Sequence, residues 1–111
     1  MIWGCQWDAT LNWFLKDENL ASWVTNSEGG NYAGTQGNTN TKVPTGYYET
    51  NNIYDMAGNV WDWALEADSA DSRVLRGGNY SSSSSSYPAA SRNGYPYNSN
   101  AGYGSRSTLI M

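Results

Sequence analysis

No histidine occurs in this chain of 111 residues, and its only cysteine is Cys5. The first absence removes the side chain that ordinarily serves as a general base near neutral pH, and with it most hydrolytic constellations. The second excludes an internal disulfide and any zinc site built on paired thiolates. Cys5 itself is expected to be a small buried apolar side chain. Charge is scarce too: Asp, Glu, Lys and Arg make up 14% of the residues and sum to a net charge of −4. No basic cluster interrupts that balance, so nothing favours a nucleic-acid partner. No apolar run approaches the length needed to cross a bilayer, so no membrane insertion is expected. No charged segment leading into an apolar core marks a signal peptide.

What the chain has instead is aromatic surface. Six Trp and nine Tyr in so short a sequence argue for a packed domain, because disordered chains have few aromatics and many charges. The length is that of one domain able to bury one modest core. Low charge, no general base and no second thiol make binding the leading class of function and catalysis the weaker one.

Order is legible in three places. Over Ile2–Lys16 (IWGCQWDATLNWFLK) the residues Trp3, Trp7, Leu11, Phe14 and Leu15 fall on one helical stripe, which predicts a helix over about Gln6–Lys16. Asp8 near its start and Lys16 in its last turn suit the helix dipole, and Asn19 is a stop signal. From Asn26 to Asn52 the chain is dominated by Gly, Asn and Thr, which predicts a long loop that is either functional or held by something outside itself. At Val60–Glu66 the residues alternate. Trp61, Trp63 and Leu65 share one face and Asp62, Ala64 and Glu66 the other, with Gly58-Asn59 as the turn that feeds the strand. Ser72–Arg76 (SRVLR) reads as a second short strand closed by Gly77-Gly78, and Ser107–Met111 as a final one. Short strands around one main helix with long irregular connections describe an α+β domain. Trp61 and Trp63 are expected to fill the space between sheet and helix.

The run Asn52–Trp63 (NIYDMAGNVWDW) followed by Arg73–Gly78 (RVLRGG) resembles the signature of the formylglycine-generating-enzyme branch of the C-type lectin fold. In that family an aromatic–Asp–x–x–Gly–Asn–Val–Trp–Glu–Trp strand leads into an Arg-Gly-Gly strand. An arginine, a proline and a terminal Gly-Phe-Arg follow. Arg92, Pro96 and Gly104-Ser105-Arg106 match those late positions, with Ser105 in place of Phe, and Gln6-Trp7-Asp8 is similar to the family's Glu-Trp-Glu helix. Members carry a further strand and helix before this point, so the resemblance implies either a reduced C-type lectin fold or a fragment.

The family's oxidase holds copper on a pair of cysteines in its late loop region. That region contains none here, so the resemblance does not bring the oxidase activity with it, and no cofactor is expected beyond a structural calcium. The family can hold such an ion where this run lies. That would gather the carboxylates of Asp55 and Asp62 and the carbonyls of Gly58 and Val60, the oxygen donors calcium takes. The alternative is that Asp55 caps the turn and Asp62 is a solvated strand residue.

The stretch Asn79–Ser105 looks like a linker, yet Asn, Ser and Tyr fill 18 of its 27 positions (4, 9 and 5 respectively). The family includes the variable proteins of diversity-generating retroelements, in which an error-prone reverse transcriptase rewrites template adenines late in the gene. Codons AAY for Asn become NNY, which never encodes Lys, Glu, Gln, Met or Trp. None of those five occurs between Asn79 and Ser105, while all six Trp precede it. The resemblance therefore implies a scaffold over 1–78, a variable ligand-binding region over 79–105 and a closing strand over 106–111. The candidate contact residues are Tyr80, Ser82, Ser84, Ser86, Tyr87, Ser91, Asn93, Tyr95, Tyr97, Asn98, Asn100 and Tyr103. Pro88, Ala89, Arg92, Pro96 and Gly104 are expected to be framework. Tyr and Ser in such a mixture suit a broad interface with a protein or cell-surface ligand. By family analogy the protein is displayed, secreted or phage-associated, with oligomerisation left open. Competing readings are a Ser-rich loop whose tyrosines pack into the core, and an invariant structural or carbohydrate-binding module or a degenerate relative of the oxidase.

Overall fold

The computed structural model describes residues 1–27, 29–33, 41–44, 46, 48–96, 100 and 102–106. Helix α1 runs over Gly4–Phe14 and α2 over Ala21–Thr25. A small hairpin joins β1 (Glu49–Thr50) to β2 (Ile53–Tyr54). The main sheet contains β3 (Trp61–Ser69), β4 (Ser72–Arg76), β5 (Arg92–Pro96) and β6 (Tyr103–Ser105), in the order β5-β4-β3-β6. Its strands are antiparallel except that β6 lies parallel to β3. Pro96 ends β5, which lies at the sheet edge. None of the helices among the described residues is long and apolar enough to cross a membrane.

Helix α1 begins two residues earlier than its apolar stripe predicts because Gln6 caps it. The Gln6 Oε1 accepts the Trp3 backbone N–H at 2.8 Å, which is half of a capping box; an indole has no oxygen to return the bond. Gly4 stands at the first helical position because the Glu66 carboxylate occupies the space a Cβ would need. Trp7, Leu11 and Phe14 are buried as the stripe requires. Trp3 and Leu15, also assigned to the stripe, lie outside the helix and are 55% and 46% exposed.

The core forms where α1 and α2 meet the loops. Trp7, Leu11, Phe14, Val24, Tyr32, Met56, Ala57 and Ala89 pack together there. Tyr32 lies wholly inside and donates its hydroxyl to the Gly77 carbonyl at 2.6 Å, and burial pushes its phenol far above the ordinary range. The long loop is tied both to the turn before β3 and within itself. Asn59 accepts the Val43 N–H at 2.8 Å and donates to the Val43 carbonyl at 2.9 Å, while Asn31 donates to the Thr41 carbonyl at 2.9 Å. Asn59 can do this from a φ of +65°, a conformation asparagine tolerates better than most residues.

Two expectations change. Cys5 is exposed on α1, not buried, because the first turn of the helix turns Gly4 rather than its neighbour toward the sheet. And Trp61 and Trp63 do not lie between sheet and helix. Ala64 bridges to the core residue Ile2, Glu66 abuts Gly4, and Arg76, the register partner of Asp62, lies 5.6 Å from the Trp7 ring. The face shared by Asp62, Ala64, Glu66 and Arg76 is therefore the one against α1, and the indoles point away from it. The alternation correctly put the two Trp on one side; it could not say which side the helix covers. Beyond Trp63 the register with β4 shifts twice, at Ala67 and Ser69, and Leu65 in the shifted segment is 37% exposed.

The stretch 79–105 contains β5 and β6, which the sequence reading does not anticipate. Both strands join the main sheet, so the stretch is woven into the fold instead of hanging from it. The strand expected at Ser107–Met111 lies outside the described residues.

Candidate ligand-binding surface

The sheet face that turns away from α1 carries a row of rings. Register places Tyr103 beside Trp61, Ser105 beside Trp63, Asn93 beside Leu75 and Tyr95 beside Arg73. Tyr87 meets Trp61 edge-on at 5.3 Å, Trp63 meets Tyr103 edge-on at 5.4 Å, and Tyr95 lies 6.0 Å from Tyr103. These are separations at which aromatic pairs attract. Trp61 is buried beneath the row; Trp63, Asn93, Tyr95 and Tyr103 are half-buried, and Tyr87 is 37% exposed. Burial, and then the neighbouring Tyr95, raise the Tyr103 phenol above its ordinary range, so it stays a neutral donor at physiological pH. The face therefore offers flat apolar area edged by hydroxyl and amide groups.

The structure sorts the remaining candidates. Ser82 donates to Asn79 Oδ1 at 2.8 Å, and its carbonyl accepts the Ala33 N–H at 2.9 Å. Tyr80 is half-buried, with its N–H on the Asn59 carbonyl at 3.0 Å. Ser84 reaches Asn26 Oδ1 at 3.4 Å, and Ser86 is exposed. Asn100 is exposed and accepts the Gly102 N–H at 2.8 Å. Ser91 turns its hydroxyl back onto the Pro88 carbonyl at 2.6 Å, so it serves the backbone and not the surface. Tyr97 and Asn98 lie outside the described residues. Thus Asn93, Tyr95 and Tyr103 share the sheet face, Tyr87 joins them over Trp61, and the serines form an adjoining turn. Two residues that sequence reasoning missed, Trp63 and Arg73, belong to the same face. The available signal was the alternation at Trp61–Trp63, misassigned to the helix side.

Beneath this surface the segment Pro88–Ser91 is tied to the core at several points. Trp7 Nε1 donates to the Ala89 carbonyl at 2.8 Å, the Ala89 N–H reaches Ser27 Oγ at 2.9 Å, and the Ala90 N–H reaches the Val24 carbonyl at 3.2 Å. Arg76, nearly fully buried, donates to the carbonyls of Ser91 at 2.8 Å and Ala90 at 3.3 Å and pairs with Asp8 at 2.8 Å. A buried guanidinium needs such acceptors, and here they come from the backbone of the stretch itself. Gly78 (φ +73°) has no room for a Cβ, because the Tyr87 carbonyl and the Tyr32 ring close on it. The segment Pro88–Ser91 is thus frame, while Ser86, Tyr87 and Asn100 are exposed.

The residues assigned to calcium gather around a cavity of about 170 Å³ lined by Asp55, Asn59, Val60, Asp62, Ser105 and Arg106. One oxygen of each carboxylate is already engaged within the fold. Asp62 Oδ2 is taken by Arg106 Nε at 3.1 Å, Asp55 Oδ2 accepts the Gly46 N–H at 2.9 Å, and the Asn59 amide is committed to Val43. Asp55 Oδ1 is buried without a hydrogen-bond partner, the kind of oxygen a hard cation takes. Among the described residues no three acidic or thiol side chains come together as a metal set. Burial pushes the Asp62 carboxyl up to about 6 despite Arg106, with the charge of Asp55 adding to the rise.

Comparison with known proteins bears on the same elements. Treponema denticola variable protein 1 superimposes with a TM-score of 0.59 at 20% identity, over 80% of this chain and 37% of that one. At that identity the likeness is one of fold, the C-type lectin fold, and this chain spans little more than a third of that protein's length. No curated protein matches the sequence. Residues 7–108, from the indole that anchors Ala89 to just past the strand that carries Tyr103, match a single family profile, and the chain belongs to the family of sulfatase-modifying factor enzyme 1-like domains.

Proposed function

We propose that this protein binds a ligand non-covalently through the outer face of its main sheet and the adjoining serine turn, and that a retroelement diversifies this surface. The observation that carries the reading is the division of labour within 79–105. Backbone groups of Ala89, Ala90 and Ser91 are held by Trp7, Ser27, Val24 and Arg76, while the side chains of Ser84, Ser86, Asn93, Tyr95 and Asn100 make few or no contacts that the fold requires. A surface whose side chains change while its backbone stays tied is the arrangement by which loops vary specificity on a rigid scaffold. Tyrosine supplies rigid contact area with a polar tip; serine and asparagine supply adaptable hydrogen bonds. The broad, shallow shape suits a protein or other large surface molecule.

Absence of catalysis is part of the proposal. Copper chemistry of the family's oxidase type takes a pair of thiols, and this chain has one, exposed on α1 far in sequence from the candidate face. By family analogy the protein acts displayed at a cell or phage surface. Deep sequencing of the coding locus in a growing population tests the reading. It predicts substitutions confined to codons 79–105, at positions where a near-identical template copy has adenine. A locus with no such copy and with changes spread evenly over the chain would contradict it.

A further inference from the structure

Six consecutive serines, Ser81–Ser86, hide in the sequence which of them face outward, and one side chain in the fold resolves it. Asn79 stands at the start of the stretch and is 9% exposed. Its Oδ1 accepts the Ser81 N–H at 3.2 Å, the Ser81 hydroxyl at 3.0 Å and the Ser82 hydroxyl at 2.8 Å. Its carbonyl accepts the Ser82 N–H at 3.0 Å, and the Ser83 hydroxyl accepts the Ser86 N–H at 3.2 Å. The first three hydroxyls of the run thus serve the turn itself. Ser85 and Ser86 are exposed, and Ser84 touches Asn26 at the long distance of 3.4 Å. The same asparagine reaches the far end of the stretch. Its Nδ2 lies 2.5 Å from where a Cβ on the buried Gly102 would stand. The Gly102 carbonyl accepts the Trp61 N–H at 2.7 Å, which brings β6 and its Tyr103 beside β3.

We infer that Asn79 is a positioning residue that locks the serine turn to the start of β6. Positions 79 and 102 therefore stay Asn and Gly, and Ser84, Ser85 and Ser86 carry the turn's share of specificity. Asparagine suits the task because its short amide puts an acceptor oxygen within reach of the backbone two residues on. Among the residues an NNY codon encodes, aspartate alone offers an acceptor oxygen at the same reach. A longer or aromatic side chain at 79 would enter the space that the missing Cβ of Gly102 leaves. An AAY codon, the type rewritten most readily, thus encodes here a residue the fold requires. That Ser84, Ser85 and Ser86 meet a ligand rests on the binding reading above; the lock itself does not.

Two measurements on the whole chain test it, and neither needs a ligand. In hydrogen exchange, Asn79→Ala is expected to speed the Ser81, Ser82 and Trp61 amides by roughly tenfold or more beyond any change at the Leu15 and Val24 amides of the helices. Asn79→Asp keeps the acceptor and is expected to return the Ser81 and Ser82 amides to near their parental rates. The second measurement places an NNY codon at one position of 79–105 at a time and selects for protease resistance alone. Survivors are expected to hold Asn or Asp at 79 and Gly at 102, while 84, 85 and 86 keep the spread of the input. Free variation at 79 among survivors would overturn the inference, and so would an Asn79→Ala chain whose exchange rises equally everywhere. Both results are read without binding, so a failure here is separate from a failure of the binding reading.

Discussion

At the scale of single residues, two features set this chain apart from a generic small domain: a buried carboxylate whose burial outweighs its ion pair, and glycines whose positions admit nothing larger. Asp62 has its pKa at about 6 in the fold, against 3.8 as the ordinary value. The folded state therefore binds this proton more tightly than the unfolded chain does. Stability gained from the protonated form is full below the unfolded value and is lost as pH rises through 6, so between about pH 4 and 6 acidification stabilises through this group, by on the order of 2–3 kcal/mol. With no histidine in the chain to titrate nearby, thermal melts across that window should show Tm falling as pH rises from 4.5 to 7, a slope that Asp62→Asn flattens. Gly78 gives a second test. Alanine there meets the Tyr87 carbonyl and a positive φ together, so Gly78→Ala should cost about 1–3 kcal/mol in chemical unfolding. The glycine was legible in the sequence as a turn signal. The Asp62 shift was not, because it comes first from burial, which Arg106 opposes and Asp55 adds to, and only the tertiary fold supplies all three.

At the scale of elements, apolar periodicity predicts β4 in full and most of α1 and β3. Each has a periodicity that burial on one face enforces. It missed β5 and β6 for a physical reason. Asn93, Gly94 and Gly104 have low strand propensity, and these edges are held by pairing with β4 and β3 rather than by their own preference. The side of the sheet that faces α1 was likewise not local information. It is set by Arg76 reaching Trp7 and Asp8 from β4. The element view separates two kinds of serine. Ser27 is fully buried between the Trp23 carbonyl and the Ala89 N–H, so Ser27→Ala should cost about 1–3 kcal/mol by leaving that N–H unpaired. Ser86 is exposed, and replacing it should change stability by no more than about 0.5 kcal/mol in the same unfolding assay. Tyr87 and Tyr103 fall between these limits, since each leans on an indole; loss of either ring contact should cost about 0.5–1.5 kcal/mol.

At the scale of the whole molecule, the chain is a core of α1, α2 and loops with a sheet laid against it, and the outer face of that sheet buries Trp61 and Leu75 beneath half-buried polar and phenolic side chains. That explains how a stretch as poor in apolar residues as 79–105 belongs to a folded domain. Its backbone completes the sheet and caps the core, and of its described side chains Ala89 packs inward while Ser86, Tyr87 and Asn100 are exposed. Of the candidate residues, Asn93, Tyr95 and Tyr103 share the outer face of the sheet, while the Ser91 hydroxyl turns back onto the Pro88 carbonyl. The most direct test of the central claim is one melting experiment on two proteins. In the first, Ser84, Ser86, Asn93, Tyr95 and Asn100 are replaced together by other residues that NNY codons encode. In the second, Trp7 alone becomes Ala, which should cost about 3–5 kcal/mol. The first protein should melt within a few degrees of the parent, about 4 °C for each kcal/mol lost, while the second falls far below it. If the five-fold variant melts as low as Trp7→Ala, the outer residues are part of what holds the fold, and the division between frame and surface is wrong.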